Sequence, residues 1–183
     1  MIADADEARL LKLLAGGAAD RDRGLRELFE RTRGPLYALA LRMTGRADLA
    51  DDAVQETFVD LIRSHGTFRG DARLTTWLFR IAVRAATRVA GRARSSSLDP
   101  DELQEAASDA ADPAEKREQR ESAQRILRAI RSLPAPQRAV LALGALQELP
   151  LTEVAVVLGV PEGTVHSRLH HARKRLREAL ERE

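Results

Sequence analysis

Apolar residues recur at intervals of three and four along most of the chain, and no stretch alternates apolar with polar as a half-buried strand would. Leu10, Leu11, Leu13 and Leu14 begin a first helix that Gly16-Gly17 stops. A second carries Leu25, Leu28 and Phe29, then Leu36, Leu39, Ala40 and Met43, with Gly34-Pro35 predicting a break or kink between the two sets. A third is predicted from about Asp48 to Ser64, with Ala50, Val54, Phe58, Leu61 and Ile62 on one face. The fourth spans about Thr75 to Arg92, with Leu78, Ile81, Ala82, Ala85 and Val89 as its apolar set. Further on, the pattern predicts helices over Ala123 to Leu133, Pro136 to Leu146 and Thr152 to Leu158, and a last one from about Glu162. The fold class is all-α.

Composition narrows the possibilities. The chain has 183 residues, which suits one large domain or two small ones, and aromatics make up only 3% of it, so the core must be mostly Leu, Ala and Val. The longest apolar run, Ala139 to Leu146, is far short of a membrane span. The acidic start, Met1 to Glu7, lacks the basic segment of a signal peptide. With no cysteine there is no disulfide framework, thiolate zinc site or cysteine nucleophile. These features predict a soluble, cytoplasmic protein without membrane insertion.

Charge placement says more than the formal net charge of +2. Between Ala72 and Leu98 stand Arg73, Arg80, Arg84, Arg88, Arg92 and Arg94 with no acid among them. From Asp99 to Glu115 the sign reverses: seven acids and no base. From Thr164 to Arg177 come Arg168, Arg173, Lys174, Arg175 and Arg177 with three histidines and again no acid. Two basic blocks favour a polyanionic partner. The acidic block between them, opened by Ser95-Ser96-Ser97 and closed by Asp112-Pro113, has Leu103 as its one large apolar residue among Ala, Asp and Glu. It cannot bury enough surface to order itself and reads as a flexible linker. The predicted organisation is an N-terminal domain over 1–95, a linker over 96–115 and a C-terminal domain over 116–183.

The sharpest local pattern lies near the C-terminus. Thr152 is predicted to cap a short helix, Leu158-Gly159-Val160 to turn with glycine in the left-handed conformation, and Pro161-Glu162 to open the next helix, with small Ala155 allowing close approach. That is a helix-turn-helix, whose second helix reads base edges in the major groove. On it Val165, Leu169, Ala172, Leu176 and Leu180 form the buried stripe, while His166, Ser167, His170, His171, Arg173, Lys174 and Arg177 face outward. A solvated amphipathic helix is the plain alternative. The coincidence of turn, cap and charge favours DNA.

Two more stripes run along the N-terminal helices. Asp48, Asp52, Glu56 and Asp60 stand four apart on the third helix, where like charges repel unless something basic covers them. Two readings are open: an internal salt-bridge face against nearby arginines, or a docking face for a basic partner. Arg80, Arg84, Arg88 and Arg92 form a matching positive face on the fourth helix, roughly 18 Å long at 1.5 Å per residue. Such a stripe can follow a phosphate backbone. Ahead of it, Ser64 to Thr75 includes His65, Gly66, Phe68, Arg69 and Gly70, a composition suited to stacking on an unpaired base. Phe68 and Trp77 fit either that role or the core.

The segment Pro161-Glu162-Gly163-Thr164-Val165-His166-Ser167-Arg168-Leu169-His170-His171-Ala172-Arg173 resembles region 4 of bacterial extracytoplasmic-function sigma factors. So do Leu133-Pro134 with Arg138, and Glu153-Val154-Ala155 before the turn. Asp52 to Phe58 resembles region 2.2 of the same family, and Thr76 to Ala82 the adjoining region 2.3. The resemblance implies a transcription initiation factor that is not an enzyme and needs no cofactor or metal. Its partners would be core RNA polymerase (through the beta-prime clamp helices and the beta flap), promoter DNA and an anti-sigma factor. It places Asp52, Gln55 and Glu56 at the polymerase-docking positions. It assigns Phe68, Arg69, Trp77, Arg80, Arg84 and Arg88 to the minus-10 element, and Thr164, His166, Ser167, Arg168, His170, His171, Arg173 and Lys174 to the minus-35 element.

The chain departs from the family in places. Arg84 and Arg88 stand where Asn and Asp are usual, which implies altered or relaxed minus-10 specificity. His166 and His171 replace Lys or Arg, implying weaker or pH-sensitive minus-35 binding. Leu143-Gly144-Ala145-Leu146 lacks the family's aromatics. Other readings fare worse. His166 and His170 have zinc-chelating spacing but no following Glu or third ligand. A helix-turn-helix regulator acting without polymerase has no use for the acidic stripe, and a module that binds only protein has none for two basic blocks.

Overall fold

Leucines, not aromatics, hold this fold together. Leu10, Leu28, Leu36, Leu39, Leu61, Leu74 and Leu78 are fully buried in the N-terminal half, and Leu133, Val140, Leu143, Val154 and Val165 in the C-terminal half. Each contributes about 1.5–3 kcal/mol by leaving water. The computed structural model describes residues 2, 4–64, 68, 70, 72–96, 122 and 125–181, and every regular element among them is helical.

The N-terminal domain is a bundle of α1 (Asp4–Leu14), α2 (Ala18–Thr44), α3 (Ala47–Ser64) and α4 (Leu74–Ser96), with α2, α3 and α4 packed on one another and α1 against α2. The break predicted at Gly34-Pro35 does not occur: α2 runs unbroken through Pro35. Proline removes one N–H from the helical ladder. The turns on either side are pinned by burial of Leu28, Thr32, Leu36 and Leu39, and the Thr32 hydroxyl donates to the Leu28 carbonyl at 2.6 Å. Gly45 then ends α2 with φ of 75°, its N–H donating to the Leu41 carbonyl at 2.7 Å. On α3, Ala50, Val54 and Leu61 are buried as predicted, but Ile62 is 51% exposed because it lies on the helix's outward face.

The C-terminal domain comprises a helical stretch over 125–131 (α5), α6 (Ala135–Leu141) with a π-helical turn over Ala142–Leu146, α7 (Leu151–Leu158) and α8 (Glu162–Glu181). Thr152 does not cap α7. Pro150 occupies that position, already extended at ψ of 143°, and its carbonyl takes the Val154 N–H at 3.0 Å. Ser95 and Ser96, expected to open the linker, form the last turn of α4; 97–115 lies outside the described residues.

The two domains touch. α7 lies on α4, and α6 with the π turn lies on α2. Arg138 is central to the seam: 7% exposed, it donates to the carbonyls of Met43 at 2.5 Å, Leu133 at 2.9 Å and Arg131 at 3.0 Å. Burial favours its neutral form and pulls its pKa downward, and no carboxylate offsets this among its hydrogen-bond partners. The carbonyls at the α2 C-terminus supply the compensating negative dipole.

Candidate nucleic-acid interface

In the C-terminal domain the turn between α7 and α8 is built by Gly159, at φ of 64°, whose N–H returns to the Ala155 carbonyl. Val160 N–H reaches the same oxygen at 3.2 Å. The Pro161 carbonyl accepts from Thr164 and Val165, which starts α8 at a fixed angle to α7. Val165, Leu169 and Ala172 are buried against α6 and α7, while Leu176 and Leu180 are half-buried. The opposite face carries His166, Ser167, His170, His171, Arg173, Lys174 and Arg177, all exposed, with Thr164 and Arg168 half-buried beside them. Arg168, Arg173, Lys174 and Arg177 meet no acid among the described residues. His166 lies 3.5 Å from Glu162 one turn earlier, and the His170 and His171 rings meet edge to face at 5.6 Å. The residues expected at the minus-35 element thus share one side of α8, with Arg168, Arg173 and Lys174 as its cations and no acid among them. No group of three metal-ligating side chains occurs among the described residues.

The N-terminal set is more divided. α4 starts at Leu74, and its first N–H is taken by the Glu7 carboxylate of α1. Arg73 donates to the same carboxylate at 3.3 Å and to the Ile2 carbonyl at 3.1 Å. This cap, from a residue 67 positions away, has no local sequence signature: Glu7 stands beside Asp6 and near Asp4, and nothing in the sequence singles it out as the acid that reaches α4. Phe68 and Trp77 are half-buried and pack on each other, ring centres 5.1 Å apart. They also rest on the core. Arg69 lies outside the described residues.

The arginine stripe of α4 is not one uniform face. Arg80 donates to the Val156 carbonyl of α7 at 2.7 Å, and Thr76 donates to Glu153 at 3.3 Å. Arg84 is exposed and unpaired among the described residues. Arg88 bonds Asp60 at 2.5 Å and Glu56 at 3.3 Å, and Arg92 bonds Glu56. The Asp60 hydrogen bond raises the pKa of Arg88 above its ordinary value. The acidic stripe on α3 therefore divides. Glu56 and Asp60 form the internal salt-bridge face, leaving only Asp52 and Gln55 of the predicted docking set exposed and unpaired among the described residues. The helical period explains the split: Glu56 and Asp60 turn toward α4, whereas Asp52, Gln55, Val59 and Ile62 share the outward side.

A two-domain helical protein with an exposed basic recognition helix belongs to the class of sequence-reading DNA-binding proteins. Comparison with known proteins narrows this. The family model "Sigma-70 region 2" matches residues 28–97 and "Sigma-70, region 4" matches 123–176. The ECF RNA polymerase sigma factor SigM of Mycobacterium tuberculosis is 36% identical over 170 residues, 92% of this chain and 83% of that one. The ECF RNA polymerase sigma-E factor of Escherichia coli is 35% identical over 132 residues, 67% of this chain and 69% of that one. Among solved structures, CnrH in complex with the cytosolic domain of CnrY superposes with a TM-score of 0.71 at 23% identity, covering 98% of this chain and 99% of that one. RpoE of Bartonella quintana, crystallised with the anti-sigma factor NepR, gives 0.61 at 23% identity, covering 85% and 96%. The chain belongs to the ECF sigma factors of the sigma-70 family. It is a transcription initiation factor that directs core RNA polymerase to promoters.

Proposed function

We propose that the work of this sigma factor is divided among three helices. Thr164, His166, Ser167, Arg168, His170, His171, Arg173 and Lys174 of α8 contact the minus-35 element. Phe68, Arg69, Trp77, Arg80, Arg84 and Arg88 serve the minus-10 element. Asp52, Gln55 and Glu56 meet the beta-prime clamp helices, while the C-terminal domain meets the beta flap. The observation that carries the reading is α8, whose outward side is exposed, cationic and free of acid from Thr164 to Arg177, opposite a buried Val165–Leu169–Ala172 stripe. Phosphate contacts by Arg173 and Lys174 supply affinity, and Ser167 and His170, earlier on the helix, are placed for base edges.

Catalysis belongs to the polymerase, and the chain acts in the cytoplasm, where the chromosome is. No helix among the described residues is long and apolar enough to cross a membrane. The structurally similar RpoE was crystallised with an anti-sigma factor, which supports a regulator of that kind here. Run-off transcription with purified core polymerase on genomic promoters tests the reading. Transcripts should start downstream of a shared minus-35 and minus-10 pair, and their absence on every promoter would sink it.

A further inference from the structure

The start of α4 is held from α1, a helix to which the proposed function gives no role. α1 is seated closely on α2. Leu10 and Leu14 are buried, and a Cβ at Gly24 of α2 would stand only 3.0 Å from Leu13 Cβ. Arg31 of α2 clips the same helix, bonding Asp6 at 2.8 Å and Glu27 of its own helix at 3.0 Å, while Glu27 also takes Arg9. One side chain of this braced helix serves α4 instead.

That side chain is Glu7, 9% exposed, and a buried carboxylate is tolerated only where donors meet it. One of its oxygens takes the N–H of the fully buried Leu74, and the other takes Arg73 Nε at 3.3 Å. Arg73 immediately precedes the helix and has no side-chain acceptor to offer, so the cap comes from α1. The consequence reaches the aromatic pair. The Arg73 carbonyl accepts the Trp77 N–H at 3.0 Å, closing the first turn of α4, and the Trp77 ring lies 5.1 Å from that of Phe68. The Leu74 N–H and the Arg73 carbonyl belong to one peptide unit, which is planar and stiff. Glu7 grips one end of that unit and Trp77 hangs from the other.

We propose that Glu7 is a positioning residue for promoter opening: through the Arg73–Leu74 peptide it fixes where the first turn of α4, and with it Trp77 and Phe68, stands to meet the minus-10 element. This rests on the proposed assignment of Phe68 and Trp77 to that element. Without the carboxylate a buried N–H loses its acceptor. The peptide then turns to find another and carries the Trp77 turn with it.

Trp77 is the one tryptophan of the chain, so its emission reports on the pair alone. Glu7→Ala should move that emission to longer wavelength and raise its quenching by acrylamide, at a temperature where circular dichroism shows the variant fully folded. Holoenzyme carrying it should bind bubble DNA with a minus-10 sequence several-fold more weakly, and a duplex with only the minus-35 element as well as wild type does. Glu7→Gln keeps an oxygen for the Leu74 N–H and should recover most of both losses. A residue that merely added stability would lower the melting temperature and leave both readouts of the folded protein untouched. That result overturns the proposal, as does a Gln variant no better than Ala. Should Glu7→Ala fail to fold, Glu7→Asp takes its place. Its shorter side chain must draw α4 toward α1 or give up the bond, so it should fall below Glu7→Gln in both readouts, and equality of the two overturns the proposal. Bubble affinity that survives both Phe68→Ala and Trp77→Ala unchanged would instead refute the minus-10 assignment on which the role of Glu7 depends.

Discussion

Single residues show how neighbours decide what a charge can do. Asp52 and Glu56 are one turn apart on α3, yet Asp52 is exposed and unpaired among the described residues whereas Glu56 bonds Arg88 and Arg92. Asp52→Arg should therefore abolish capture of core polymerase in a pull-down while leaving the melting temperature unchanged. Glu56→Arg should also leave Arg92 without its carboxylate, with Arg88 keeping Asp60, and lower stability by about 0.5–1 kcal/mol, the scale of surface ion pairs, which a urea titration would register. Asp48 gives a pH prediction. The Arg46 hydrogen bond holds its carboxylate below the usual range. The pair's stabilisation is thus present above the unfolded pKa of about 4 and is lost as pH falls through the lower folded value. Both side chains are largely solvated, so Asp48→Asn should flatten the acid limb of stability by only a few tenths of a kcal/mol.

At the scale of the element, α8 and α4 present cations in different ways. α8 offers its face freely, so Ser167→Ala or His170→Ala should change the preference among minus-35 duplexes by roughly 1–3 kcal/mol at the base pair concerned. Identical rankings for wild type and both variants would return those residues to the solvated surface. Of the α4 stripe of Arg80, Arg84, Arg88 and Arg92, only Arg84 is exposed and unpaired among the described residues. Arg84→Ala should weaken opening across many minus-10 sequences and lower the salt slope by about one. Gly159 sets the angle between α7 and α8. Gly159→Ala, at φ of 64° with open space around the site, should cost about 1 kcal/mol in thermal stability through backbone strain alone.

Across the whole molecule, one of the ties between the domains is a buried guanidinium, through its bond to the Met43 carbonyl. Arg138→Leu would leave the carbonyls of Met43, Arg131 and Leu133 without that donor. An unpaired buried polar group costs about 1–3 kcal/mol, so the variant should lose at least that much. Calorimetry should then show the halves melting separately; a single unchanged transition would mean that Arg138 does not couple them.

What the chain determined alone was whatever repeats within a few residues. Spacings of three and four yielded the helices, Gly159 the turn and Val165–Leu169–Ala172 the buried side of α8, so its outward face was legible before any fold was known. Periodicity also implied the two opposed charge stripes on α3 and α4. It could not say that Glu56 and Asp60 face Arg88 while Asp52 faces solvent, because that depends on how two helices roll against each other. The cap that Glu7 places on Leu74, the passage of α2 through Pro35 and the grip of Arg138 on Met43 were likewise illegible. Each joins or steadies segments by contacts across tens of residues, and a local pattern holds no record of which distant carboxylate or carbonyl will satisfy a donor once the core has closed. Tertiary structure alone decided that the outward face of α8 stands open while α7 covers the start of α4: the sequence made both surfaces basic, but only packing sets one against a neighbour.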